Sequence, residues 1–229
     1  MVASSRHLTR HCIGFMISSS TTSPCLSTPM ARISPQEFLD LPLRVHSFLR
    51  DVPLHDVWVV DLPGGREGIT LNEFRSRSRA GRAEDIPFAA KALLQIRFFL
   101  GRVFRLDVER PGDKSDSYIK MLTEADRVAS LVPPGSKDGP FDVMYIFPNE
   151  MLSELINATV HAFLAQTLTR TSTGYRLYWA IYVRPVRAIT TVYMALIDPF
   201  RRWIVYPQIL HRMREQWIRL YAEPSVAQE

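Results

Sequence analysis

Few side chains in this 229-residue sequence stand in patterns that can do chemistry, and the informative ones gather between Tyr145 and Arg184. His161 is the single histidine in that strand-like stretch, and Thr159 and Phe163 share its strand face. Such a histidine can hydrogen-bond a pocket ligand, or act as a general acid or base once a partner and a substrate lie within reach. Glu154 is its candidate partner from a neighbouring strand. A satisfied structural histidine is the more ordinary role. Tyr145, Tyr178, Trp179 and Tyr182 combine apolar rings with polar tips, which suits the lining of a mainly apolar pocket and equally the filling of a core. Arg184, at a strand end, can meet an anionic head group, although an arginine there is more often solvated. Tyr145, His161, Trp179, Tyr182 and Arg184 are therefore the candidate ligand-binding set, with His161 the catalytic candidate.

Standard catalytic signatures are missing. The sequence contains no G-x-S-x-G, no P-loop and no G-x-G-x-x-G. Gly135–Gly139 has suggestive letters but reads as a turn between Pro134 and Pro140. His7 and His11 have helical i, i+4 spacing without a carboxylate beside them, so no metal site is expected. Both cysteines, Cys12 and Cys25, precede the folded part, which excludes disulfides and thiolate chemistry from it and fits a reducing cytoplasm. The formal net charge of +5 permits contact with phosphates or an anionic surface without demanding it. Arg75–Arg82 is the densest basic run, yet Glu84 and Asp85 follow it and no aromatic residues interleave it, so nucleic acid is not an expected partner. No run of roughly 18 or more apolar residues exists, so no integral membrane insertion is expected.

The elements that would position these residues follow from periodicity. Residues 1–32 read as a disordered leader, or as an extension upstream of a start at Met30, because Ser18–Ser23 is polar and low in complexity. Ser34-Pro35 opens a helix, Asp56–Leu62 alternates as a strand, and Thr70-Leu71-Asn72-Glu73 caps another helix. Ile86–Phe104 carries an apolar helical stripe, Thr123–Asp126 starts a short helical turn, and 133–140 reads as a rigid loop. Four strands then follow at Asp142–Phe147, Met151–Ile156, Thr159–Leu168 and Tyr175–Arg184, joined by short turns and hence antiparallel. After Pro185 the period becomes helical through Leu220, with kinks or breaks expected at Pro199 and Pro207. Sheet residues Tyr145, His161 and Trp179 are expected to approach the helical stripe that holds Val192 and Leu196.

The stretch Tyr193-Met-Ala-Leu-Ile-Asp-Pro-Phe-Arg-Arg-Trp-Ile-Val205, after Tyr182-Val-Arg-Pro185, resembles the end of an uncharacterised domain family in the START-like (SRPBCC) superfamily. Leu93–Arg97 and the Asn157–Phe163 stretch add to the likeness, which covers about residues 40–220. The resemblance implies an α+β helix-grip fold: an antiparallel sheet wrapped around a long C-terminal helix, with extra helices inserted after the first strand and a pocket between sheet and helix. Family members often carry His where this chain has Arg201, so a role tied to that His is not carried over. The expectation is one START-like domain over 33–225, cytoplasmic and without a cofactor, binding a hydrophobic small molecule rather than catalysing a reaction. A cyclase, isomerase or dehydratase using His161 is the first alternative. The second is a peripheral membrane or protein-interaction module built on Trp203, Trp217 and the arginines of the last segment.

Overall fold

The computed structural model describes residues 29–80, 116–156, 160–185 and 188–222. Seven strands form one open sheet in the order β1-β2-β7-β6-β5-β4-β3, with every neighbouring pair antiparallel. They are β1 (Met30–Arg32), β2 (Leu54–Pro63), β3 (Lys137–Asp138), β4 (Phe141–Ile146), β5 (Glu150–Ile156), β6 (Val160–Thr171) and β7 (Gly174–Pro185). The chain is thus α+β. Strands β4 to β7 run as the expected meander, and β2 returns beside β7. Two short strands escaped the sequence reading. Met30–Arg32, placed in the leader, is an edge strand on β2, and Lys137–Asp138, inside the expected rigid loop, is the opposite edge. Segments of two or three residues are too short to show alternation.

Both faces of the sheet are covered. On β7, Tyr175, Leu177, Trp179, Ile181 and Val183 point to one side, and Tyr178, Ala180 and Tyr182 to the other. The first side receives α3 (Leu71–Ala80), α5 (Ala188–Phe200) and α6 (Tyr206–Trp217), through Leu71, Phe74, Met194, Ile197, Leu210, Met213 and Trp217. The second receives α1 (Pro35–Leu39) and α2 (Val45–Phe48), through Phe38, Val45 and Phe48. A 3-10 turn (Tyr118–Met121) and α4 (Glu124–Ala129) complete that side. Burying each large apolar side chain contributes roughly 1.5–3 kcal/mol, so the aromatic alternation of β7 demands a cover on each face. The expected helix at Ile86–Phe104 lies outside the described residues, as does Leu93–Arg97.

The helices begin where the capping residues stand. Ser34 Oγ accepts from Gln36 N–H at 3.3 Å, and Thr70 Oγ1 accepts from Glu73 N–H at 3.1 Å. Thr123 and Asp126 form a reciprocal capping box. The C-terminal helix divides as the prolines require: Pro199 lies in the last turn of α5, a π-helical turn spans Arg201–Val205, and Pro207 lies in the first turn of α6. A second π turn, Ile218–Ala222, follows α6. Among the described residues no helix is long and apolar enough to cross a membrane.

The far end of the sheet is sealed around Trp217, fully buried, whose indole N–H donates to the Pro63 carbonyl at 3.0 Å. Tyr175 packs on Trp217, donates its hydroxyl proton to the Arg66 carbonyl at 2.9 Å, and accepts from Ile69 N–H at 3.0 Å. Here β7 starts at Gly174, with φ of +157°, so close to β2 that a Cβ would collide with the Leu62 carbonyl oxygen. Backbone on both sides leaves nothing to give way. Gly174→Ala is therefore expected to destabilise the fold by about 3 kcal/mol or more, read as a lowered urea midpoint with an unchanged slope. A loss below about 0.5 kcal/mol would show that this corner is not rigid.

Candidate functional site

The helix-facing side of β7 carries an unusual polar inventory for a buried surface. Trp179 sits directly across from Trp58 on β2 and from Gln166 on β6. Gln166 accepts a hydrogen bond from Arg75 of α3, and Arg75 and Arg79 both pair with Asp138 of β3. The basic run Arg75–Arg82 therefore begins by clamping α3 to the sheet, and Arg75 is largely buried. Among the described residues neither indole N–H, of Trp58 or of Trp179, has a hydrogen-bond partner, and neither has the Ser153 hydroxyl on β5. A buried polar atom left unpaired costs about 1–3 kcal/mol, so three of them on one face need a physical reason. Leu164, Ile181, Val183, Met194 and Ile197 supply the apolar surroundings.

Above Trp58 lies the break between α5 and α6. Tyr206 packs edge-on against the Trp58 ring at 5.9 Å between centroids, and its hydroxyl accepts from the Arg201 guanidinium. Arg201, the first residue of the π turn, also donates to Asp198 Oδ1 at 3.0 Å and contacts the Met194 sulfur at 3.7 Å. Asp198 Oδ2 lies 2.7 Å from His55 Nε2 and 3.3 Å from Arg202. Fully buried Asp56 pairs with Arg32 at 2.8 Å and Arg202 at 3.3 Å, and stands 3.6 Å from His55. Donor atoms of His55, Asp56 and Asp198 fall within 4.8 Å of one another, near enough to share a metal ion. Three guanidiniums already hold both carboxylates, and a divalent cation would have to displace Arg202 from between them. The charges are better explained as a joint that ties the helix break to β2.

The other face holds three of the five residues singled out from sequence. Tyr145 donates its hydroxyl proton to Glu150, whose carboxylate also accepts from the backbone N–H groups of Arg44 and Val45 at 2.9 and 2.7 Å. This docks α2 on β5, and the Arg44–Asp126 pair at 3.0 Å ties in α4 and holds the Asp126 carboxyl below its usual range. His161 is 3% exposed and lies 3.2 Å from Glu154, the partner inferred for it. Glu154 also accepts from the Ser117 hydroxyl and the Tyr118 N–H. His161 is packed between Tyr118 and Phe163. A carboxylate with every oxygen engaged beside a sealed imidazole serves as a strut holding the 3-10 turn. Tyr182 lies on this face too, its hydroxyl unpartnered, and Arg184 stands exposed beyond it.

The expected convergence of Tyr145, His161 and Trp179 on the helical stripe is corrected. Only Trp179 faces α5 and α6, because the strand registers put Tyr145 and His161 on the opposite side. Leu196 points outward at 53% exposure, and the Val192 side chain is outside the described residues. Sequence reasoning passed over Trp58, His55, Asp56 and Tyr206. The available signals were a tryptophan, a histidine and two aspartates within β2, and Asp-Pro-Phe-Arg-Arg at the helix break. A separate open cleft of about 340 Å³, lined by Asp61, Thr171, Thr173, Arg176 and Arg214, lies at the β6–β7 turn. It contains none of the candidate residues, and Arg176 closes onto Asp61 there at 2.7 Å.

The site has a distinct alkaline signature. Burial pushes the Tyr206 hydroxyl up to about 12, with the Arg201 guanidinium opposing the rise. Burial likewise raises Tyr145, aided by the Glu150 charge, and raises Tyr182. A folded state that holds these protons more tightly than the unfolded chain keeps its full stability below pH 10 and loses it as pH climbs toward 12. Tyr206 alone accounts for on the order of 2–3 kcal/mol of that loss. Urea midpoints measured between pH 9 and 12 are expected to fall, and Tyr206→Phe to flatten the slope. A profile level to pH 12 would refute the buried tyrosines.

A family model with the description "Protein of unknown function (DUF2867)" matches residues 48–208. That span runs from α2 through six of the seven strands and the helix break to the start of α6. No match to the chain was found among curated proteins or among solved structures.

Proposed function

Given that the chain belongs to the DUF2867 family, whose description carries no activity, we propose that it binds a hydrophobic small molecule between its sheet and its C-terminal helices. The arrangement would be that of a START-like helix-grip protein. One observation carries the reading: unpartnered buried polar atoms lie in the apolar surface beneath the helix break. Ligand sites combine an apolar wall with a few placed polar groups, and those groups stay unpaired until the ligand arrives. The gradient of burial points the same way. Leu177, Leu210 and Trp217 at the far end are completely buried, whereas Trp179, Ile181, Val183, Met194 and Ile197 all retain slight exposure. π turns, moreover, recur at functional positions in helices. The catalytic alternative through His161 gains nothing from its sealed pairing with Glu154.

Native mass spectrometry of protein purified from its source is expected to show an apolar adduct. Readdition of the extracted compound to delipidated protein should raise the melting temperature by about 5–10 °C at 100-fold excess over its dissociation constant. No adduct, together with no saturable uptake of a simple apolar probe such as butylbenzene, would defeat the proposal.

A second reading has its own observation. Trp203 is 79% exposed and Ile204 39%, next to outward-facing Leu196, while Leu210 is wholly buried. The apolar stripe expected to be covered therefore surfaces at the π turn, where a tryptophan beside arginines suits an anionic interface. Under this reading the full chain cosediments with phosphatidylserine-containing vesicles at low salt, and Trp203→Ala reduces binding about tenfold. Cosedimentation unaffected by the substitution, or none at all, removes it.

A further inference from the structure

The ligand-binding reading leaves the chemistry of the ligand open, and the indole pair narrows it. Trp58 and Trp179 are direct cross-strand partners on the helix-facing side of β2 and β7. Such partners have Cβ atoms about 5 Å apart, so the two side chains leave the sheet at neighbouring positions on one face. Both indole N–H groups are buried and unpartnered among the described residues. An indole nitrogen can only donate, so nothing but an acceptor satisfies it. Two strands beyond β7, Ser153 belongs to the row Val143–Ser153–Leu164–Ile181, adjacent to the row Met151–Gln166–Trp179–Trp58. Its unpartnered hydroxyl lies on the same face, about 12 Å from Trp179 measured between backbone positions. That distance spans a molecule of several carbons.

The charges nearby restrict the acceptor further. Gln166, beside Trp179 in the same row, already accepts from Arg75, and Arg75 is bound to Asp138. On the other flank Arg201 is committed to Tyr206 and Asp198. Among the described residues the cations close to the indoles are matched by carboxylates, and the groups left over are neutral donors. An anionic head would be buried without a counter-charge, which is strongly unfavourable. A neutral carbonyl oxygen, with two lone pairs to receive two N–H donors, has no such cost.

We infer that the site takes an apolar compound bearing a neutral carbonyl group, a ketone, ester or amide, whose oxygen is held by the indole N–H groups of Trp58 and Trp179. The Ser153 hydroxyl makes a second polar contact further along the ligand. The inference rests on the ligand-binding reading above and adds to it the class of compound.

The test compares 4-phenyl-2-butanone with butylbenzene, which has the same carbon skeleton without the oxygen, using the full chain labelled with nitrogen-15. Water solvates a ketone far better than a hydrocarbon, so a site without donors would bind the ketone much more weakly. The expected result is ketone binding at least as tight as hydrocarbon binding. The indole N–H resonances of Trp58 and Trp179 should move downfield with the ketone and stay in place with butylbenzene. Trp179→Phe and Trp58→Phe should each weaken ketone binding about tenfold relative to butylbenzene, the effect of one lost donor. Should either variant fail to fold, the resonances of the unaltered protein and the other variant decide. Butylbenzene binding with the ketone tenfold weaker, or unmoved indole resonances, would overturn the carbonyl inference while leaving the ligand-binding reading intact. Those outcomes would assign the indole donors to ordered water. Failure of both probes to bind would overturn both.

Discussion

Strand β7 must bury both of its faces, and most of the architecture follows from that requirement. Its aromatic and aliphatic side chains alternate over twelve residues, between β6 and β2, and neither set can be left in water. One cover comes from the short helices before and after β2, fixed by Glu150 to the start of α2 and by Glu154 to the 3-10 turn. The other comes from α3 and the C-terminal helices. Polar groups on the inner surfaces are therefore mostly struts, and their partners are the backbone N–H groups and hydroxyls of the covering segments. Removing a strut would unseat a cover rather than disable a reaction.

The C-terminal cover has a geometric problem of its own. It starts where β7 ends, over the middle of the sheet, and must finish over β1 and β2. A straight helix cannot follow that twisted surface. Pro199 and Pro207 bracket the place where the helix changes direction, and the π turn between them turns Arg201 inward and Trp203 outward. Two carboxylates and three guanidiniums pin this joint to β2 and β1. Burying charge is expensive, and such a network fixes geometry more than it adds stability. The joint thereby holds Tyr206 over Trp58.

The unpaired indole donors depart from the rule that buried polar groups find partners, as do His46, Thr167 and Tyr182 on the other face. Departures of this kind concentrate at sites reserved for something other than the chain itself. The proposed ligand reading turns on the position of the indole donors beneath the helix break. On one side each carboxylate is saturated. On the other, hydrogen-bonding capacity remains where the helix cover is broken and its seal is least complete.

Much of the fold was legible from local pattern. Alternation marked five of the seven strands, short turns made the meander antiparallel, Ser34, Thr70 and Thr123 marked helix starts, and the two prolines marked the break. These signals depend on a few neighbouring residues, because strand pleat, cap and proline geometry are properties of the local backbone. Alternation even separated Trp179 from Tyr178 and Tyr182 within β7. It could not say how the faces of one strand align with those of another, since a shift of a single residue exchanges every side chain between faces. Register joined His161 to Glu154, and it also placed both opposite Trp179. The site at the helix break was still less accessible, because Trp58 and Trp179, or His55 and Asp198, are more than a hundred positions apart. Tertiary structure alone brought them together: burial of both sheet faces selected one register, and that register chose their neighbours.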